Sequence, residues 1–280
     1  MDVTVYITTY NRLALLKRAI SSVQQQTFSD IEIIVADDGS TDGTQEYLNN
    51  LQQQGQLIAI LNQSGASKGA CYGRNKAIEI AQGTFITGLD DDDYFEPWRI
   101  EKFLDNWRTK SEAGVAFSAL FDSVVEHRKY GKVDCYDTPV ATYQALRTGN
   151  VVGNQVFTLT SRLRQIQGFD ELMPALQDWD TWLRLSKEYG DIVNINSRSY
   201  IQIHDHGSGR ISEKPATKIR FAFERLMSKL APLSKKEQAS LIYTMYGYEQ
   251  MNNKMNELYI LLLNGYFRRI AQIINRTYFK

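Results

Sequence analysis

Cysteine is scarce: Cys71 and Cys135 are the only two in 280 residues. That excludes a disulfide framework and a thiolate metal cluster, and makes a reducing, cytoplasmic setting the expectation. Histidine is scarce too, with only His127, His204 and His206, so few imidazoles are on hand for acid–base work. Long apolar runs are missing. The longest near the C-terminus, Leu258 to Leu263, falls far short of the roughly 20 residues that span a bilayer. The opening MDVTVYITTYN reads as a strand without a basic flank, so no secretory leader is expected. Net charge is also absent, with 32 Lys and Arg against 32 Asp and Glu.

The charge balance hides an asymmetry. From Ala216 to Lys280 there are 11 Lys and Arg, 4 Glu and no Asp, so an acidic body carries a basic tail. Such a tail favours an anionic partner: a membrane surface, a phosphorylated glycan or nucleic acid. What remains is an ordinary globular composition, 43% hydrophobic and 23% charged. The length suits one large domain or one domain with an appendage.

The first 125 residues alternate between two patterns. Val3 to Thr9, Ile31 to Asp37, Leu57 to Asn62 and Phe85 to Leu89 are short, apolar and β-branched, and read as buried strands. Leu13 to Gln26, Thr44 to Gln54 and Ala70 to Ala81 have helical spacing, with Leu16, Ile20 and Val23 on one face. This order predicts a parallel α/β sheet with right-handed crossovers. Ligands bind such sheets beyond the carboxyl ends of the strands. Further on, Val115 to Phe121 and Asp191 to His204 read as strands and Asp178 to Glu188 as a helix. Past Pro215 a stripe of Ile219, Phe223, Leu226, Met227 and Leu230 predicts one helix. Ser234-Lys-Lys-Glu237 is a capping box that opens a second. A third is expected from about Asn256 to Ile274. The expected division is 1–214 for the main domain and 215–280 for a basic helical region.

Three strand ends carry polar clusters. They are Thr8-Thr-Tyr10-Asn11, Asp37-Asp38-Gly-Ser-Thr-Asp42 and the run Asp90-Asp91-Asp92-Asp93. Asp, Ser and Thr at such points can simply cap helices. Capping explains one carboxylate of the four-Asp run, however, and adjacent carboxylates repel. A calcium loop would need glycine at its sixth position, where Phe95 stands. A divalent cation held by one or two carboxylates and by substrate phosphates suits the run better, with magnesium and manganese both accepting such ligands. Gly65 to Asn75 looks like a phosphate loop but fits neither standard glycine pattern. Arg74 on the helix that follows can reach a phosphate or simply be solvated. Gln177-Asp178-Trp-Asp180 puts two carboxylates at a helix start, where both cannot cap. Asp180 is placed to brace Arg184 four residues on. His204 and Arg210 sit on a glycine-containing loop after a strand, where ligand contacts concentrate.

Taken in order, these residues resemble the family-2 glycosyltransferases of GT-A fold over about residues 1 to 210. The matching stretches are Thr8 to Asn11, Asp37 to Asp42, Ala70 to Asn75, the D-x-D pattern in Leu89 to Asp93, Gly168-Phe-Asp-Glu171 and Asp178 to Arg184. The resemblance implies that Thr8, Tyr10 and Asp38 hold the uracil and ribose of a UDP-sugar. Asp91 would lie near the ribose and Asp92 would bind Mn2+ or Mg2+ bridging the diphosphate. His204 would be a further metal or diphosphate ligand and Asp178 the general base of an inverting displacement. Asp90, Arg74 and Arg210 complete the expected nucleotide-sugar site, the remaining carboxylates of the run capping the next turn. Gln177 stands where the family commonly has Glu, and Gln167 where it commonly has Gly. Both departures touch acceptor handling.

The expected partners are a UDP-sugar donor and a glycan or lipid-linked acceptor of bacterial surface polysaccharide synthesis, with no nucleic acid. Peripheral attachment to the inner face of the plasma membrane is expected through 266–280. There Phe267, Ile270, Ile273 and Ile274 share a helical face among four cations and no acids. The oligomeric state stays open, as do helix packing and membrane binding for the tail. Two other enzymes share parts of the pattern. A processive synthase would carry membrane spans and Q-x-x-R-W, where this chain has Trp182-Leu-Arg184-Leu. A nucleotidyltransferase would need a glycine-rich loop on the first strand. A non-catalytic nucleotide- or glycan-binding scaffold would have no use for both a metal site and a base.

Overall fold

A computed structural model describes residues 1–128, 131–135, 137–203, 215–248, 251 and 254–278. The first third follows the sequence pattern closely. β1 (Val3–Thr9), α1 (Leu13–Gln24), β2 (Ile31–Asp37), α2 (Thr44–Gln53), β3 (Ile58–Leu61), α3 (Ala70–Ile80) and β4 (Phe85–Asp90) alternate as expected. β1 pairs in parallel with β2 on one side and β4 on the other. Thr9 lies beside Asp37 and Thr8 beside Asp90. The three polar strand ends are therefore neighbours.

Past β4 come β5 (Tyr94–Phe95), α4 (Arg99–Glu112), β6 (Ala119–Phe121), β7 (Val124–Arg128), β8 (Gly131–Cys135), β9 (Val140–Ala141) and α5 (Tyr143–Leu146). Then follow β10 (Phe157–Leu159), α6 (Thr160–Gln165), α7 (Gln177–Tyr189), β11 (Ile192–Asn194) and β12 (Tyr200–Ile203). The main sheet runs β3-β2-β1-β4-β10-β6-β11-β9, with β10 antiparallel to both its neighbours. A smaller sheet runs β5-β12-β7-β8. The expected strand from 191 to 204 is thus two strands in different sheets. Asn196 and Arg198, at φ of 49° and 54°, turn the chain between them.

Both faces of the main sheet are covered, which is why its central strands are mainly apolar. Val3, Val5, Ile7 and Val35 pack with Leu16 and Ile20 of α1 and Ile100 and Phe103 of α4. Tyr6, Ile34 and Ile86 face the other way, onto α3, α7 and the C-terminal helices. One position on that second face is sterically closed. A Cβ on Gly88 would lie 2.0 Å from Gln155 Oε1 and 2.6 Å from the Tyr6 ring. Gly88→Ala is expected to lower unfolding free energy by about 1–3 kcal/mol, the usual range for overpacking. An unchanged urea midpoint would show that the ring and amide can move aside.

The C-terminal part holds α8 (Ala216–Leu230), α9 (Lys235–Met245), α10 (Met255–Leu263) and α11 (Phe267–Tyr278). The capping box is present: Ser234 accepts from the Glu237 amide and Glu237 from the Ser234 amide. The single helix expected from 256 to 274 is two. Gly265, at φ of 79°, ends α10 in the left-handed conformation that glycine adopts without strain. Phe223 meets Trp179 edge-on at 6.1 Å, so α8 shares the core of α7. Several tail cations turn inward. Arg225 and Lys229 pair with Asp170, Lys229 also with Asp180, and Arg220 with Glu257. Part of the basic tail is therefore neutralised within the molecule.

Candidate active site

The ends of β1, β2 and β4 open into a cleft of about 940 Å³. Thr8, Tyr10, Asp38, Arg74, Asp90, Asp91, Asp92 and Asp178 all line it. Tyr10 stands at the surface, 51% exposed. His204 and Arg210 lie outside the described residues.

At the end of β2 the carboxylates divide their work. Asp37 accepts from the Gly39 and Ser40 amides and from Gln45. Asp42 accepts from the Leu13 and Thr44 amides. Asp37 thus holds the turn after β2, and Asp42 takes up the first amides of α1 and α2. Asp38 instead faces the loop that leads into α3. It accepts from Ser67 Oγ, the Lys68 and Gly69 amides and Asn62 Nδ2. Burial opposes the charged form, but these donors outweigh it and hold the Asp38 carboxyl below its usual range.

The four-Asp run is not a cap. Each carboxylate has its own partners. Asp90 accepts from Arg74, Asn154 Nδ2 and Gln155 Nε2. Asp91 accepts from Thr9 Oγ1 at 2.7 Å and from Arg12. Asp92 shares that Arg12 group, at 3.1 Å. Asp93 accepts from the Tyr200 hydroxyl and the Ile203 amide, which ties the run to β12. The expected capping of the next turn is thereby overturned, and α4 begins only at Arg99. Burial lifts the Asp91 carboxyl to about 6, against Thr9 and Arg12. Burial, then Asp90 and Asp92, push Asp93 well above the usual range.

Among the described residues no three His, Cys, Asp or Glu side chains are grouped to hold a metal unaided. Asp92 nevertheless provides hard oxygen donors just past β4, beside Asp91. That set fits a magnesium- or manganese-type ion completed by phosphate oxygens. Arg12 is the resident countercharge with which such an ion would share them.

Arg74 is 5% exposed, held within α3 and stacked 5.1 Å from the Phe169 ring. Its guanidinium reaches Asp178 at 3.0 Å and Asp90 at 3.2 Å. It is thus committed to two carboxylates rather than solvated. Asp178 is the second residue of α7, whose N-cap position is the apolar Leu176. Asp180 points away and accepts from Arg184, as the i,i+4 spacing predicts. Asn75 accepts from the Phe169 amide and donates to Phe169 O and Glu171, which fixes the Gly168-to-Glu171 loop against α3.

Several residues around the cleft carried no recognisable sequence signal. Asn154 and Gln155 lie in an irregular stretch, and Tyr200 was hidden in an apparent single strand. Tyr6 is a core residue whose hydroxyl donates to Gln155. Burial pushes the Tyr6 phenol up, with Arg74 opposing. Tyr248, after α9, is raised by burial and then by the Asp178 charge, so the C-terminal part reaches the site. Arg12 was the one legible omission: it directly follows the first strand-end motif.

The profile of glycosyl transferase family 2 matches residues 4–164. The putative colanic acid biosynthesis glycosyl transferase WcaA of Escherichia coli (strain K12) is 33% identical over 258 residues, which is 90% of this chain and 88% of that protein. The GalNAc(5)-diNAcBac-PP-undecaprenol beta-1,3-glucosyltransferase of Campylobacter jejuni is 41% identical over 90 residues, 32% of this chain and 29% of its own length. In fold, the chain is similar to S. aureus TarS 1-349 in complex with UDP-GlcNAc. The TM-score is 0.61 at 19% identity, over 99% of this chain and 72% of that one.

Proposed function

Because the chain belongs to glycosyl transferase family 2 and has the GT-A fold, we propose that it moves a hexose from a UDP-sugar to a hydroxyl of a glycan or lipid-linked acceptor. The observation that carries this reading is the meeting of the three strand ends and Asp178 around one cleft. The setting we propose is bacterial surface polysaccharide synthesis at the inner face of the membrane, in keeping with relatives named for colanic acid and for an undecaprenol-linked acceptor. Residues 1–214 form the catalytic part in this reading, and 215–280 an appended helical region.

In the proposed reaction Thr8, Tyr10 and Asp38 hold uracil and ribose, and Asp91 faces the ribose. Asp92, with His204, would hold a divalent ion, and Arg210 would serve the diphosphate. When bound, the ion neutralises charge on the departing UDP. The acceptor oxygen forms a bond to the anomeric carbon while the bond from that carbon to the diphosphate oxygen breaks. Asp178 takes the hydroxyl proton. Inversion follows from a single displacement. Binding the donor also places new demands on Asp38 and on the Asp91–Asp92 pair. Their present donors, the 62–69 loop and Arg12, must share these oxygens with the ligand.

The test is release of UDP from a panel of UDP-sugars with Mn2+ present, followed by product analysis with a lipid-linked acceptor. No turnover with any UDP-sugar would overturn the donor class. Calorimetry isolates the metal assignment. Asp92→Ala is expected to abolish the Mn2+-dependent part of UDP binding, and parent-like binding would move the metal elsewhere.

A further inference from the structure

The C-terminal helices present an apolar face where a surface helix ordinarily presents polar residues. On α10 the outward residues are Met255, Tyr259, Leu262 and Leu263, which are 81%, 60%, 48% and 65% exposed. Their spacing of 4, 7 and 8 places them on one stripe. The opposite side of the same helix buries Leu261 and Glu257. Glu257 is held inside by Arg220 and by the Tyr246 hydroxyl. After the Gly265 turn, α11 continues the exposed surface with Phe267, at 63%. Its Ile273 is 2% exposed and Ile270 packs against the core. Those two isoleucines therefore face the body, and the outward apolar face belongs mainly to α10.

Charge separates the candidate occupants of this face. Between Gln250 and Lys280 the sequence has one acidic side chain, the buried Glu257, against Lys254, Arg268, Arg269, Arg276 and Lys280. Arg268 is exposed, and Lys254, also exposed, pairs with Glu224 at 3.4 Å. A second copy of the same face would bring like charges together. An anionic bilayer meets both features, because phosphate headgroups pair with the cations and the acyl boundary takes the leucines. Tyr259 suits that depth, with an apolar ring and a polar tip. Among the described residues no helix is long and apolar enough to cross a membrane, so such contact lies at the surface.

We infer that the α10 stripe of Met255, Tyr259, Leu262 and Leu263, with Phe267 and Arg268 beside it, docks onto an anionic phospholipid surface. This rests on the reading of a membrane-held acceptor and names the surface by which the enzyme reaches it. None of these residues lines the cleft. The docking is therefore separable from catalysis.

The experiment is co-sedimentation of the full chain with phosphatidylcholine vesicles, with and without phosphatidylglycerol. The parent is expected to sediment with the anionic vesicles and to dissociate as salt rises. Tyr259→Ser/Leu262→Ser/Leu263→Ser is expected to weaken partitioning by at least about tenfold, given the apolar surface each residue would insert. Arg268→Gln should weaken it by about fivefold. UDP binding should be unchanged in both variants, which separates this outcome from a failure to fold. It also separates it from a failure of the donor assignment. Equal sedimentation of parent and triple variant overturns the proposal. So does self-association of the parent, seen by sedimentation velocity and abolished by the triple substitution, because the stripe would then be a seam between copies.

Discussion

Asp178→Asn is expected to lower transfer by on the order of 10² to 10⁴ at saturating donor and acceptor, the usual range for losing a general base. A sugar hydroxyl is a weak nucleophile and needs its proton drawn away as it attacks. An aspartate, with a reference value of about 3.9, is ionised at neutral pH. Arg74 at 3.0 Å compensates that charge. The pairing fixes the direction of Asp178, which suits a concerted step in which transfer follows bond formation. Asparagine has the same shape, and its amide oxygen can still accept from Arg74. The variant should therefore fold, and UDP affinity should change little, because the base serves the acceptor. Near-full transfer would sink the assignment, and so would a loss expressed mainly as weaker UDP binding. The neighbouring acids are poor substitutes. Asp170 is held by Arg225 and Lys229, Glu171 accepts from Asn75, and neither lines the cleft.

Arg74→Met is expected to cost about 3–5 kcal/mol of stability, the range for removing one partner of a buried ion pair. The side chain is 5% exposed and spans Asp90 and Asp178. Without it two half-buried carboxylates lose the cation that bridges them. Urea unfolding measures the loss. A cost under about 1 kcal/mol would mean that solvent reaches the pair and that Arg74 is no keystone. Arg74→Lys keeps the charge but cannot fork to both acids. It is expected to retain more stability than Arg74→Met while still lowering the transfer rate, through a misplaced Asp178.

The two C-terminal helices show how far sequence periodicity reaches. The apolar spacing from Asn256 to Ile274 continues across Asn264 and Gly265, so it predicts one helix. The break depends on a single left-handed glycine. The same holds for 191 to 204, where the apolar residues on both sides of Asn196 to Ser199 read as one strand. There the chain leaves one sheet for another through two residues of positive φ. Periodicity records which residues are buried, and both breaks fall at exposed residues, Asn196, Arg198 and Gly265, where the backbone conformation sets the chain's direction.

The sequence by itself determined the class of protein, the strand–helix order of the first 90 residues, the three polar strand ends and the Asp180–Arg184 pair. Each of these follows from local spacing: two-residue and 3.6-residue periods, and polar residues that interrupt an apolar strand where it leaves the core. Only the tertiary structure decided which carboxylate meets which partner. Arg74 and Asp178 are 104 positions apart, Tyr200 and Asp93 are 107 apart, and Arg12 and Asp92 are 80 apart. These contacts arise because β4 pairs with β1, α3 crosses the strand ends and α7 packs below α8. Sheet order and helix packing are properties of the whole chain. The opposing carboxylates find their cations there, and no local pattern encodes which one.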